Sequence, residues 1–458
     1  MNALLVICGL GVFSLIAEIL SFRKWLIGVI IAGLAIAILL VAREFGSSTF
    51  HFSEMLLFDN FSLAYAGLIC SIALFWFWMA ADYFRNTSHT TDRSAMVLFT
   101  IAGALIMTAF NNMAMLFLGI EILSISLYVL AGSRKDSLFS TEASFKYFLM
   151  GAFATGFLLM GIALVYGATG SFQITTIADF VASHKTELPY FFYAGVLMML
   201  AGLAFKISAV PFHFWAPDVY EGSPTVITAL MSTVVKIAAI AAFYRVFSIC
   251  FSSVQHTWTT ALQVITVLTL VIANVTAVYQ NRVKRMLAYS SVGHVGYILL
   301  GFISNDKAAS GTIFYYLAAY AVASIAAFTI IHLLEQKRSG VTVDNFNGLY
   351  KKKPLFAVAM TIALLSLAGI PPFPGFFGKY MVFALAIENG FTSLVILAII
   401  TSLIGVYFYF RVIIAMFFKE PANEEIPDDR SLMSLLYVLI GVTIMLGIFP
   451  DSLLQLMK

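Results

Sequence analysis

The sequence predicts an all-α, polytopic membrane protein of about fourteen transmembrane helices. Three observations predict it. Of its 458 residues, 61% are hydrophobic and only 11% charged, with 43 Phe, where soluble domains carry about 25% charge. Apolar runs long enough to span a bilayer, each needing about 20 residues, recur along the whole chain. Three charged side chains, Glu121, Lys206 and Lys236, lie inside such runs. There a charge costs roughly 3 kcal/mol on insertion scales, and it persists where it pairs or lines water.

The fourteen runs lie near residues 4–20, 25–42, 56–81, 94–110, 113–131, 145–167, 190–209, 226–247, 259–279, 286–303, 310–334, 354–387, 391–418 and 432–449. The first has no basic residue before it, and its first positive charges, Arg23 and Lys24, follow it. It therefore reads as a retained span and not as a cleaved signal or a transit peptide. The longest linkers, 168–189 and 419–431, are short and polar and leave no room for a soluble domain.

Charge placement sets an orientation. The loops after the odd-numbered spans hold 16 of the 26 Lys and Arg, among them Arg282, Lys284, Arg285 and the run Lys351–Lys353. The other side holds four, namely Arg43, Lys185, Lys307 and Lys458, and six lie within spans. Positive charge stays on the cytoplasmic side, so an even span count places both termini outside. A net charge of +3 does not point to nucleic acid.

Two spans read as broken. Residues 354–387 contain Pro371, Pro372 and Pro374 among Gly369, Gly375 and Gly378, and the seventh span runs into Pro211 and Pro217. Proline removes a backbone donor and clashes with the preceding turn. Unwound backbone at membrane depth survives only inside protein or beside water, and paired broken helices point to a transport site. Glu121 to Lys206 is 85 residues, as is His294 to Lys379, which suggests two inverted five-helix repeats, spans 4–8 and 9–13. The expected division of the single membrane domain, 1–458, is 1–90 for spans 1–3, 91–250 and 251–420 for the repeats, and 421–458 for the last span.

Five residues are the candidate site: Glu121, Lys206, Lys236, His294 and Lys379. Burial favours a neutral amine and a nearby carboxylate favours the ammonium, so a lysine whose carboxylate partner approaches or retreats is a proton switch. Glu121 and Lys206 are the expected pair. Lys236 is too central to snorkel and calls for a hydrated cavity. His294, in YSSVGHVGY, has an imidazole that titrates near neutrality. Lys379 should lie in the second half of the broken span. Arg411 reads as structural, Glu142 and Lys146 as a local i,i+4 pair, and Glu18, Asp59 and Glu335 as end residues reaching headgroups. Cys8, Cys70 and Cys250 are too far apart for a zinc or iron–sulfur site or a disulfide framework. With no Gly-rich nucleotide loop and no paired-His haem pattern, no redox cofactor is expected in this chain.

The stretch AFKISAVPFHFWAPDVYEGSPT, Lys236 in the next span, and NRVKRMLAYSSVGHVGY resemble the antiporter-like membrane subunits of respiratory complex I, the NADH–quinone oxidoreductase. The resemblance covers essentially all fourteen spans. FHFWAPDVYEGSPT, and lysine instead of glutamate at position 379, point to one branch of that family. It implies a proton-translocating channel in the bacterial inner membrane, with Glu121 and Lys206 as coupling pair, Lys236 and His294 as central relay, and Lys379 as terminal carrier. It also implies partners: further antiporter-like and small membrane subunits, and subunits holding flavin, iron–sulfur clusters and quinone. A cation/proton antiporter or a membrane-bound hydrogenase subunit is the alternative. One central carboxylate beside three central cations disfavours a sodium site. A non-conducting scaffold does not account for three unsnorkelled charges. The expected geometry is one polar file near mid-depth, turning outward near Lys379.

Overall fold

Lipid offers no hydrogen bonds, so a chain this apolar must satisfy its backbone within helices. A computed structural model describes residues 1–46, 49–85, 89–185, 187–304, 306, 308–336, 340–421 and 429–457. Helices α1 (Asn2–Ile16), α2 (Arg23–Glu44), α3 (Asn60–Arg85), α4 (Thr90–Ala109), α5 (Met113–Ala131) and α6 (Leu138–Thr169) come first, then the short α7 (Ile174–Ser183). The seventh span is α8 (Tyr190–Ile207), resumed after a break as α9 (Trp215–Gly222). The eighth is α10 (Thr225–Ser232) and α11 (Val234–Tyr244), ending in a π-helical turn at Arg245–Cys250. Next come α12 (Gln255–Val278), α13 (Val283–Ser304), α14 (Ala309–Glu335) and the single turn α15 (Leu349–Lys352). The twelfth span is α16 (Pro354–Ala368) and α17 (Pro374–Glu388), followed by α18 (Thr392–Phe418), α19 (Arg430–Ile448) and the single turn α20 (Asp451–Leu454).

Among the described residues, twelve helical stretches are long and apolar enough to cross a membrane. With the 15-residue α1 and the α16/α17 pair, they occupy the fourteen segments read from the sequence. The strands among the described residues are Phe50–Phe52 and Leu56–Phe58, a hairpin. Residues 56–58 thus precede the third span instead of starting it.

Burial orders the helices. The stretches Thr225–Cys250 and Ala309–Glu335 are wholly buried, whereas α2, α6, α18 and α19 are buried over a third of their length. Helices apolar on all sides belong at the centre, so α10, α11, α13 and α14 form the core. Backbones approach closely where side chains vanish: a Cβ on Gly161 would lie 2.7 Å from the Gly195 carbonyl, locking α6 to α8.

Both proline breaks occur as read. α8 stops at Ser208, in the left-handed region at φ 63°, and α16 stops at Gly369, at φ 81°. A third break, at Thr233 (φ −115°, ψ −82°), interrupts the eighth span two residues before Val235 and three before Lys236. No Pro or Gly marks it.

Several expectations are corrected. Linker 168–189 contains α7. Glu335 does not reach headgroups: it is 8% exposed and held by Lys284 at 3.2 Å, Arg134 at 3.6 Å and the Thr225 hydroxyl. Lys284, counted with the loop charges, is buried. Asp59 is bound by the buried Arg245 at 2.5 Å. A desolvated charge requires a partner, and apolar surroundings at a span end are enough to desolvate it. The equal 85-residue spacings suggest equivalent points for Lys206 and Lys379 on their broken helices, and the structure does not place them so. Lys206 lies before its break and Lys379 after its own. Glu121 is the ninth residue of α5 but His294 the twelfth of α13, so the shared 85-residue spacing does not align the helices.

Arg411 is structural, as read: its guanidinium donates to the carbonyls of Val278, at 3.1 Å, and Gln280 at the end of α12. Glu142 and Lys146 pair at 2.7 Å, and Lys146 also meets Asp218 at 2.8 Å, which in turn binds Arg285. Arg23, Arg134, Arg282, Arg285 and Lys351 all cluster at one end of the bundle, hereafter the basic end, through contacts with Thr90, Glu335, Glu221, Asp218 and Glu420. Lys307, Lys337, Arg338 and Lys458 of the charge count lie outside the described residues, as does most of linker 419–431.

Candidate functional site: a buried file of polar side chains

Lys206 sits in the last turn of α8, 3% exposed, one residue before the chain unwinds. Its Nζ donates to Ser124 Oγ on α5 at 2.5 Å, and Ser124 in turn donates to the Ile120 carbonyl one turn back. The ammonium also lies 5.9 Å from the Tyr128 ring centre. Glu121 is half-buried on the same α5, within electrostatic range of Lys206 but without a direct ion pair. Its Oε1 is buried and has no hydrogen-bond partner. The expected pair is thus held apart, with Ser124 taking the ammonium.

Lys236 is 2% exposed on α11, and its Nζ donates to the Ser291 carbonyl of α13 at 2.7 Å. Ser291 Oγ shares a hydrogen bond with Tyr320 of α14 at 2.7 Å, and Tyr320 stacks loosely against His294, centroids 5.0 Å apart. His294 bonds through Nδ1 to Tyr316 at 2.8 Å and through Nε2 to Tyr409 at 3.2 Å; Tyr409 also meets Ser290. Two hydroxyls that can each donate or accept fit an imidazole in either tautomer. His294 lies in the field of both Lys236 and Lys379.

Lys379 is placed by the second break. Its Nζ donates to the Ala368 carbonyl, freed where α16 ends, at 2.8 Å, and to Ser402 Oγ at 2.9 Å. The ammonium sits 4.7 Å over the Tyr297 ring. The stem of Lys379 crosses Gly369, where a Cβ would meet it at 2.8 Å.

One face of α13 therefore supplies Ser290, Ser291, His294 and Tyr297, three to four residues apart, and this face connects Lys236 to Lys379. Between Lys206 and Lys236 no side-chain hydrogen bond runs among the described residues. α8 packs on α11 there, and the buried Ser208 hydroxyl, at the break after Lys206, has no partner. Sequence reasoning missed Ser124, Tyr316, Tyr320, Ser402 and Tyr409. Tyr316 and Tyr320 stand four residues apart in an apolar run, the one signal that places both on one helix face. Among the described residues no group of His, Cys, Asp or Glu could hold a metal ion.

Residues 110–405 match the family described as NADH:quinone oxidoreductase/Mrp antiporter, TM. The chain is 42% identical over 458 residues to the NADH-quinone oxidoreductase subunit N of Cytophaga hutchinsonii, covering all of this chain and 99% of that one. It is 42% identical to the subunit N of Flavobacterium johnsoniae, covering the whole of both. Among solved structures it superposes on a chain of respiratory complex I from Thermus thermophilus with TM-score 0.85 and 30% identity, over 99% of this chain and 98% of that one. A chain of the Mrp complex from Dietzia shares the fold at TM-score 0.84 and 23% identity, over 100% and 94% of the two chains.

Proposed function

We infer the function of this chain from its family: it belongs to the NADH:quinone oxidoreductase/Mrp antiporter transmembrane family. It is a multi-pass membrane protein and works as a proton-translocating subunit of an NADH–quinone oxidoreductase. It contributes no redox chemistry itself; flavin, iron–sulfur clusters and quinone belong to partner subunits. The observation that carries the reading is the buried succession of polar side chains from Lys236 to Lys379: Lys236 is hydrogen-bonded to Ser291 and Ser291 to Tyr320, Tyr320 lies in ring contact with His294, His294 bonds Tyr316 and Tyr409, and Lys379 sits over the Tyr297 ring.

In this mechanism quinone reduction elsewhere changes the charge near one end of the file. Glu121 and Lys206 then close or part. Closing favours the ammonium, and parting releases a proton toward Lys236. Transfer continues over His294 to Lys379 and out on the side opposite the basic end. Moving one charge against 100 mV costs about 2.3 kcal/mol, which a change of about two pKa units at one site matches. The basic end faces the cytoplasm of a bacterial cell and both termini the periplasm, following the positive-inside bias. The two five-helix repeats, 91–250 and 251–420, remain part of the reading, each contributing one proline-broken span. A cation/proton antiporter is the second reading, favoured only by the shared fold of the Mrp chain; Glu121 is the one carboxylate in the file, too few for a dehydrated cation.

Two tests follow. Glu121→Gln will impair proton pumping more than Glu121→Asp, measured as protons moved per NADH oxidised in proteoliposomes, because charge and not shape sets Lys206. Equal, near-normal pumping by both variants would leave Glu121 a structural residue. The purified chain, separated from its partners, will show no flavin, haem or iron–sulfur absorbance and will not oxidise NADH. A stoichiometric chromophore on the isolated chain contradicts the division of labour.

A further inference from the structure

Glu335, Lys284 and His332 form a second buried charged cluster, at the basic end and away from the file. Glu335 accepts from Lys284 and Thr225 and lies 3.6 Å from Arg134, whose side chain is 42% exposed. Lys284 also donates to the Ser223 carbonyl at 2.8 Å. His332 is one turn before Glu335 on α14, 5% exposed, and its Nε2 has no partner. Glu335, Asp82, Arg134 and Lys284 are the charges that act on it. The Ser223 hydroxyl beside them is also buried and unpartnered. Orphaned polar atoms at such depth mark room for water.

The cluster is tied to the file by α10. Thr225, Thr228 and Ser232 are fully buried and three or four residues apart, so they share one helix face, and Lys236 follows four residues on from Ser232, beyond the Thr233 break. Their hydroxyls are bonded only locally or to the cluster: Thr225 to Glu335, Thr228 to the Tyr220 carbonyl at 2.8 Å, Ser232 to the Ala229 carbonyl at 3.1 Å. α10 packs against α14 along this length. From Thr225 to Lys236 the rise is about 16 Å. At the far end Tyr320 of α14 returns to Ser291, whose carbonyl holds Lys236. The corresponding stripe on α14 is interrupted by the buried Phe328 between Ser324 and His332, so α10 carries the continuous line of hydroxyls.

We propose that protons enter at the basic end beside the Glu335–Lys284–Arg134 cluster and that Thr225, Thr228 and Ser232 line the path from it to Lys236. The proposal rests on the relay reading above and names its uptake branch. A proton entering there is carried on water beside the Glu335 carboxylate. It then passes along hydroxyls and intervening water to the Lys236 amine, each hydroxyl accepting one proton and giving up its own, so no charge or bond is left over.

The test uses the assembled oxidoreductase in proteoliposomes, with protons moved per NADH oxidised as readout. Thr228→Val keeps the shape of the side chain and removes its hydroxyl; Thr228→Ser restores it. Thr228→Val is expected to slow pumping by about a hundredfold, the low end of what loss of one proton-transfer group costs, with a larger solvent deuterium isotope effect. Thr228→Ser should pump like the parent. Ser232→Ala, which loses only a bond to its own helix, should act in the same direction and guards against a folding defect at Thr228. Lys236→Met separates the two readings. If it stalls pumping while Thr228→Val and Ser232→Ala pump normally, the uptake path is wrong and the relay stands. Normal pumping in all of them overturns both.

Discussion

Alanine at Lys206 will leave the oxidoreductase assembled and cut proton translocation by about a hundredfold or more, the scale of a lost proton-transfer group. The side chain is 3% exposed and its one hydrogen bond is to Ser124, which keeps its own bond to the Ile120 carbonyl without it. Removing the ammonium thus abandons no buried polar partner except Glu121, which is half-buried and not in contact. Breaking a tight buried ion pair costs about 3–5 kcal/mol; here no such pair is closed, so folding tolerates the change. Function does not, because Lys206 is the ammonium that lies in the field of Glu121. Lys206→Arg sharpens the result. A guanidinium keeps the charge but does not release its proton, so arginine should fail nearly as badly as alanine. Pumping restored by arginine would mean that Lys206 is a fixed charge and not a switch.

Gly375→Ala will prevent accumulation of the folded chain. Gly375 stands in the first turn of α17, against the last turn of α16. A Cβ there would lie 1.8 Å from the Ser366 backbone carbonyl oxygen, and backbone on a packed helix cannot step aside as a side chain does. Ordinary overpacking costs about 1–3 kcal/mol; this overlap is harsher and falls on the break that positions Lys379. The measurement is the amount of subunit in purified membranes and the thermal stability of the complex. Gly156→Ala on α6, where a Cβ meets nothing within 4 Å, is the matched control. Equal yields from the two variants would show that α16 and α17 are free to separate.

Much of this molecule is written in local pattern. Span number follows from the length of apolar runs, since a helix must cross about 30 Å of hydrocarbon. The breaks at Pro211 and Pro371–Pro374 follow from missing donors, and the family from the run around Lys206 and His294. The five candidate residues were visible because charge is rare in such surroundings. Pairing was not visible. Hydropathy treats Glu335 and Asp59 as span-end residues, and only the arrival of Lys284 and Arg134 at the buried Glu335, and of the buried Arg245 at Asp59, reveals their partners.

The same holds within the site. Sequence spacing put Glu121 with Lys206, but the ammonium donates instead to Ser124, three residues on from Glu121 in α5. It also suggested matched positions for Lys206 and Lys379, which the breaks place on opposite sides. The interruption at Thr233 has no Pro or Gly to announce it. Tyr316, Tyr320 and Tyr409 look like ordinary aromatic filler until three helices bring their hydroxyls to His294 and Ser291. The sequence by itself determined that this chain is a bundle of membrane helices with a few deliberate interior charges, because the bilayer penalises each polar group one at a time. Which polar groups meet was decided only by tertiary packing, because hydrogen bonding depends on ångström-scale approach between helices far apart in the chain.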